Sequence, residues 1–271
     1  MRPVMRSAPR PAPRPVTRSA PRPVMHPATR RARLAAIAPW LAGIAALWLA
    51  GGAGGCVPDS DPRWQLNHDR VVAARATPPH LPPGTTAMID ALIAHAGSPT
   101  TIEPPVDVRS SPGTPAALAQ AVAHSDAGWQ VTAPGAEQLD AARASAKIDP
   151  GQPVPLVLIE TFGPIPLIVH HTIFLGDAAA NPTPGAVQVA GEVAAPDALV
   201  IARDVDVPLA IDADPAAAVN WLTSCGTMHD DDEHAAFVHV QPDDSQAGEL
   251  VVVVRAADGG VGWRRWAIEA Q

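Results

Sequence analysis

Apolar and polar positions change rhythm three times along this 271-residue chain. Residues 34–55, LAAIAPWLAGIAALWLAGGAGG, form one unbroken apolar run. After it the pattern becomes strand-like. Arg70–Thr77, RVVAARAT, roughly alternates as a half-buried strand does. Ala87–Ala96, AMIDALIAHA, reads as a second strand across the rigid bend TPPHLPPGTT, although its propensities alone also allow a helix. Residues 97–113 read as loop. Thr114-Pro115 has the form of an N-cap followed by proline in the first helical position, which predicts a short helix over Pro115–His124. A second helix is predicted over Pro134–Lys147, with Leu139, Ala142 and Ala146 spaced for one face. From Val154 the chain turns to short β-branched runs. PVPLVLIETFG and PIPLIVHHTIFLGD flank Gly163-Pro164, and further strands are expected at Leu199–Ala202, Val205–Ile211, Val219–Ser224, Phe237–Gln241, Leu250–Arg255 and Gly260–Ile268. The last two flank Asp258-Gly259-Gly260, where glycine supplies the positive φ of a hairpin turn. The expected class is mainly β.

Charge sharpens this division. Residues 1–55 hold nine of the 19 basic side chains and none of the 27 acidic ones, so the body beyond them is strongly acidic. Such a surface repels phosphate backbones, and nucleic acid is not an expected partner. The 32 prolines and 20 glycines favour short strands and many turns.

The first 33 residues contain a near-repeat, RPVMRSAPRP followed by RPVTRSAPRP, whose prolines exclude a helix. Two readings stand: a basic tail for an anionic surface, or a stretch upstream of a start at Met25, which opens a compact basic segment, MHPATRRAR. The apolar run is long enough to span a bilayer. It ends instead in GGAGG, with low helix propensity and no charged flank, as a secretory signal does. Ala53-Gly54-Gly55-Cys56 resembles the lipobox of bacterial lipoproteins, with Ala53 where that family usually has leucine. The resemblance implies cleavage before Cys56, acylation of its sulfur and, with Val57 in place of Asp at mature position two, passage to the outer membrane. An uncleaved anchor and a disulfide-forming Cys56 are the alternatives. The expected organisation is a basic tract and signal over residues 1–55, a tether over 56–69, an irregular β-rich domain over 70–164 with one or two short helices, and a β-sandwich over 165–271.

Two features carry a second resemblance. Trp221 lies in the strand-like VNWLTSC, and the chain closes on a hairpin, which together resemble an immunoglobulin or fibronectin sandwich without its inter-sheet disulfide. The strand, proline-rich bend and strand over residues 70–96 resemble the opening of bacterial immunoglobulin-like domains.

Candidate chemistry concentrates in Ser224–His234, SCGTMHDDDEH. Cys225, Met228 and His229 are soft ligands suited to copper or zinc, and His170 or His171 could complete a mononuclear site. Only one of those two could reach it, because neighbours on a strand point to opposite faces. Cys225-Gly-x-x-His229 resembles the copper loop of cytochrome oxidase subunit two, but Trp221 and Asp232 stand where that loop has its first cysteine and its methionine, which excludes the binuclear centre. Asp230, Asp231 and Asp232 could hold calcium, without the spacing of an EF-hand. The plainer reading makes Cys225 a small core residue and the acidic run a solvated loop. The scattered His68, His80, His95, His124 and His239 read as surface or satisfied core residues, and of Trp263 and Trp266 one reads as a core indole and the other as a surface ring that can stack an arginine. No GxSxG, GxGxxG, P-loop or HExxH occurs. The leading expectation is a membrane-anchored lipoprotein that binds or scaffolds an envelope partner, is not an enzyme and takes no cofactor. A metal-binding lipoprotein and an exported thiol enzyme using Cys225 are the alternatives.

Overall fold

The computed structural model describes residues 61–271. The basic tract, the apolar run and Cys56 lie outside them.

The predicted strand at residue 70 forms as written: β1 (Arg70–Thr77) pairs antiparallel with β3 (Thr86–His95). The bend between them holds β2 (His80–Leu81), and Gly84 supplies a positive φ of 76°. Residues 97–113, expected as loop, carry β4 (Ser98–Glu103) on β3 and β5 (Asp107–Ser110) in a second sheet. Both are short and largely exposed, so neither shows the apolar alternation that marks a strand in sequence. The helix expected over Pro115–His124 is only α1 (Ala116–Ala119). It stops because Val122–Ser125, β6, turns back on β7 (Gly128–Thr132). Thr114 does not cap it; its hydroxyl donates to the Ser111 carbonyl at 2.7 Å. The second helix, α2 (Ala136–Ala146), forms as expected, with the Gly135 N–H bound to the Gln138 side chain at 2.9 Å and Lys147 left-handed at the C-cap. Leu139 and Ala142 are buried; Arg143, not Ala146, joins them.

The Gly163-Pro164 step is the turn of a hairpin. β8 (Val154–Phe162) and β9 (Leu167–Leu175) pair in full register from Val154↔Leu175 to Phe162↔Leu167. The division expected between residues 164 and 165 therefore falls inside this hairpin, and the first pair of sheets runs on to Leu175. One sheet is β1-β3-β7-β6 with β4 on β3, and the other is β2-β9-β8-β5. Ala76, Ile89 and Val131 meet Leu156, Leu158 and Ile173 between them, closed at one side by Leu118 and Leu139 of the helices.

A second sandwich follows. β10 (Val187–Val189), β11 (Glu192–Val193), β13 (Asp206–Ile211), β15 (Thr227–His229) and β16 (Ala235–His239) form one sheet, in the order β11-β10-β13-β16-β15. β12 (Ala198–Ile201), β14 (Ala218–Thr223), β17 (Ala247–Arg255) and β18 (Val261–Ala270) form the other, in the order β12-β18-β17-β14, with β12 parallel to β18. Trp221 and Trp266 anchor the core between them with Leu209, Val238 and Val252. The Trp221 indole donates to the Glu233 carbonyl at 3.0 Å, which satisfies its one polar atom.

The two sandwiches share a third core. Leu250–Val254 of β17 is buried on both faces, which is why it reads as a continuous apolar run and not as an alternation. Its outer face, Val251 and Val253, packs with Leu222 and Val261 against Val72, Ala73 and Leu92 of the β1–β3 sheet. Residues 63–66 are not a free tether either. Trp64 and Leu66 are apolar and dock, and the backbone follows β14 through Leu66 N to Thr223 O at 3.0 Å and Thr223 N to Trp64 O at 2.8 Å. Residues 61–271 are mainly β, with two short helices among them. Among the described residues no helix is long and apolar enough to cross a membrane.

Candidate functional site

The segment richest in candidate ligands is pulled apart by the strands that hold it. Cys225 follows the end of β14 and is fully buried in the second core. Its thiol donates to the Ser245 carbonyl at 2.9 Å, and its N–H to the Thr223 hydroxyl at 3.0 Å. Burial first, and the charge of Asp244 second, push the thiol up to about 11. A nucleophile must be thiolate, and at neutral pH this group stays protonated. Gly226 has a structural reason of its own: its φ is +74°, and a Cβ there would stand 2.2 Å from the His239 carbonyl oxygen.

β15 then alternates. Met228 points into the core and His229 to solvent. Asp230 turns the chain at φ 55°, and Asp231 and Asp232 bind the Arg63 guanidinium at 2.9 and 3.0 Å. His170 and His171 sit on β9, in the first sandwich; His170 is exposed, while His171 faces inward. Cys225, Met228, His229, His170 and His171 thus do not meet as one ligand set. The three aspartates likewise serve a turn and an ion pair, not a calcium loop. Among the described residues no three His, Cys, Asp or Glu side chains converge at metal-binding distance. The scattered histidines have their own partners: His80 with Asp177 at 2.7 Å, His95 with Glu103 at 2.7 Å and His239 with Asp206 at 2.8 Å. Trp266 is core, with Arg264 over its ring at 4.9 Å, and Arg75 covers the half-exposed Trp263 at 3.9 Å.

Sequence reasoning missed one buried polar pair. β8 places Val154, Leu156, Leu158, Glu160 and Phe162 on its inward face. Glu160 is fully buried there, and its Oε1 meets Nδ1 of His171 at 2.8 Å. Its Oε2 is buried without a hydrogen-bond partner. The signal was present: in VPLVLIETF a carboxylate occupies an apolar register position.

A further concavity lies on the second sandwich. A cleft of about 620 Å³ runs between β11 and β12, lined by Val189, Val193, Leu199, Val205 and Pro208. Val193, Val200 and Val205 are 72%, 65% and 48% exposed. β11 and β12 each end their sheet, so the cleft is bordered by two strand edges. Free edges offer backbone N–H and C=O groups, and alternate side chains offer pockets, which together suit an extended peptide.

No family model matches the chain, and no curated protein matches it. Among solved structures it is similar to a nucleoside hydrolase-related hypothetical protein from Saccharophagus degradans, at 18% identity and a TM-score of 0.28, over 34% of this chain and 26% of that one. The tandem Ig repeats of Dlar align at 10% identity and TM-score 0.26, over 75% and 98% of the two chains. Drosophila N-cadherin EC1-4 aligns at 11% and 0.24, over 76% and 51%. At these scores the overlaps are loose, and the architecture stands on the sheet pairing described above.

Proposed function

We propose that the chain is a lipoprotein held at the outer membrane through acylated Cys56, and that its β-rich body is a binding module, not an enzyme. In this reading the second sandwich is immunoglobulin-like, and an envelope partner lays an extended segment into the cleft between β11 and β12. The observation that carries it is the pairing of solvent-exposed Val193, Val200 and Val205 with two open strand edges. An apolar surface kept in water beside unpaired backbone suits a partner strand. The sealed position of Cys225 supports binding over thiol chemistry.

Two measurements test the two halves. Mass spectrometry of the membrane-extracted protein is expected to find an acylated N-terminal Cys56, and Cys56→Ser is expected to move the protein to the soluble fraction. A chain retaining residues 1–55 with an unmodified thiol overturns the anchor. A photo-crosslinker at Val200 is expected to give a discrete adduct in intact cells, abolished by Val193→Asp, while one at exposed Thr101 gives none. Equal labelling from both positions, or none from Val200, overturns the cleft.

A further inference from the structure

Of the ten basic side chains beyond residue 55, Arg63, Arg75, Arg143 and Arg265 each stand within 4 Å of a carboxylate. Arg70 and Arg255 do not, although acidic groups outnumber basic ones in this body and both guanidinium groups are partly buried. Their hydrogen-bond acceptors among the described residues are neutral. Arg70 donates to the carbonyls of Arg63 and Gln65, at 2.7 and 3.4 Å. Arg255 donates to the Asn220 side chain and, at 3.0 Å, to the carbonyl of Val72. That carbonyl is free because β1 is bulged there: Val71 pairs with Ile93 and Ala73 with Leu92, which leaves Val72 without a partner. Burial destabilises the charge on both arginines, and the charge of Arg70 adds to the cost at Arg255. Two neighbouring half-buried cations without an anion are a costly arrangement, and such arrangements concentrate at binding sites.

Both arginines line a cavity of about 430 Å³, between β1, β9 and the β17–β18 turn. Its rim also holds His170 and His171, and no carboxylate lines it. His171 is held from behind by Glu160 through Nδ1. On the far side of the arginines a smaller cavity contains Asp231, but that carboxylate is bound to Arg63.

We propose that this cavity binds a phosphate group, gripped by Arg70 and Arg255 on one wall and met by the His170–His171 stretch of β9 on the other. Guanidinium N–H groups match phosphate oxygens in charge and fork geometry. The volume exceeds that of a bare ion and leaves room for the organic part of a small phosphate ester. This site is separate from the β11–β12 cleft and does not rest on the reading of that cleft.

Calorimetric titration of the full chain at low ionic strength tests it, with inorganic phosphate, a hexose phosphate and phosphatidylglycerol vesicles as three arms. Saturable binding in at least one arm is expected, weakened about tenfold by Arg70→Gln. Arg255→Lys, which keeps the charge but not the fork, is expected to weaken it less than Arg70→Gln does. Arg109→Gln, on exposed β5, is expected to leave it unchanged. Binding by inorganic phosphate equal to that of the ester marks a free-anion site, tighter ester binding marks a phosphorylated metabolite, and vesicle binding alone marks a lipid headgroup. If Arg70→Gln does not fold, His170→Ala, at an exposed position, carries the same test with a smaller loss. Absence of saturable binding in all three arms, or binding indifferent to these substitutions, overturns the proposal.

Discussion

Two regions of this molecule invert what their sequences promise. Residues 225–234 are dense in cysteine, methionine, histidine and aspartate, yet the fold disperses them: Cys225 and Met228 in the core, His229 in water, Asp231 and Asp232 on Arg63. Glu160, His170 and His171 lie far along the chain from that stretch, and Arg70 and Arg255 are 185 positions apart, yet the fold gathers them around one cavity and the wall behind it. Strand alternation parts Met228 from His229 on β15, and the turns on either side carry Cys225 and the aspartates away from them. Alternation separates neighbours in sequence onto opposite faces, and sheet stacking brings distant strands together. A crowded stretch on a strand is thus weaker evidence of a site than one polar residue in an apolar register.

The sharpest way to break this comparison is at the buried pair. His171→Leu leaves both Glu160 oxygens buried without a partner and is expected to cost about 3 kcal/mol in urea unfolding. Adding Glu160→Leu is expected to recover at least half of that loss; a double variant no better than the single would show that the carboxylate is not the cause. Gly226→Ala comes next. Its Cβ would collide with the His239 carbonyl in a left-handed backbone, and a loss of about 2–3 kcal/mol is expected, unaltered by chelators or added copper. Metal-dependent stability in the parent chain would instead restore a ligand role to this turn. Cys225→Ala removes a small buried side chain, at an expected cost of about 1 kcal/mol. The native thiol is expected to resist alkylation at pH 8 and to react once the chain is unfolded.

The smallest effect concerns the tie between the sandwiches. His80 is buried, and its Nδ1 faces the Asp177 carboxylate while its Nε2 faces the Asp258 carbonyl in the β17–β18 turn, each at 2.7 Å. Both neighbours are acceptors, so the doubly protonated ring satisfies both. Burial lowers its pKa, but the bonds to Asp258 and Asp177 together outweigh that and raise it. A raised folded-state pKa gives stability that is complete below the unfolded value of about 6.5 and is lost as pH rises through the folded one. The urea midpoint of the parent chain is expected to fall over that window relative to its value at pH 6, and His80→Gln to flatten this component. A midpoint that rises with pH in the parent but not in the variant would reverse the assignment.

Much of the fold was legible in sequence. β1 keeps the expected bounds Arg70–Thr77 although a bulge at Val72 breaks its alternation, α2 keeps Leu139 and Ala142 on its buried face, and the β17–β18 hairpin turns with Gly259 at φ +92°. The misses share a cause. β4, β5 and β6 are short and polar, so their strand character comes from neighbours and not from their own burial pattern. The helix expected over Pro115–His124 had the right start, but the pairing of Val122–Ser125 with β7 cut it short.

By itself the sequence determined the mainly β class, the chain positions of the long strands and the core role of Trp221, because periodicity and side-chain size are local properties. Only the tertiary structure decided that β17 is covered on both faces, that residues 63–66 dock along β14, that Cys225 is sealed and that Arg70 meets Arg255. Each of these depends on which sheets stack, and stacking is set by apolar burial summed over strands far apart in the chain, which no single stretch of sequence encodes.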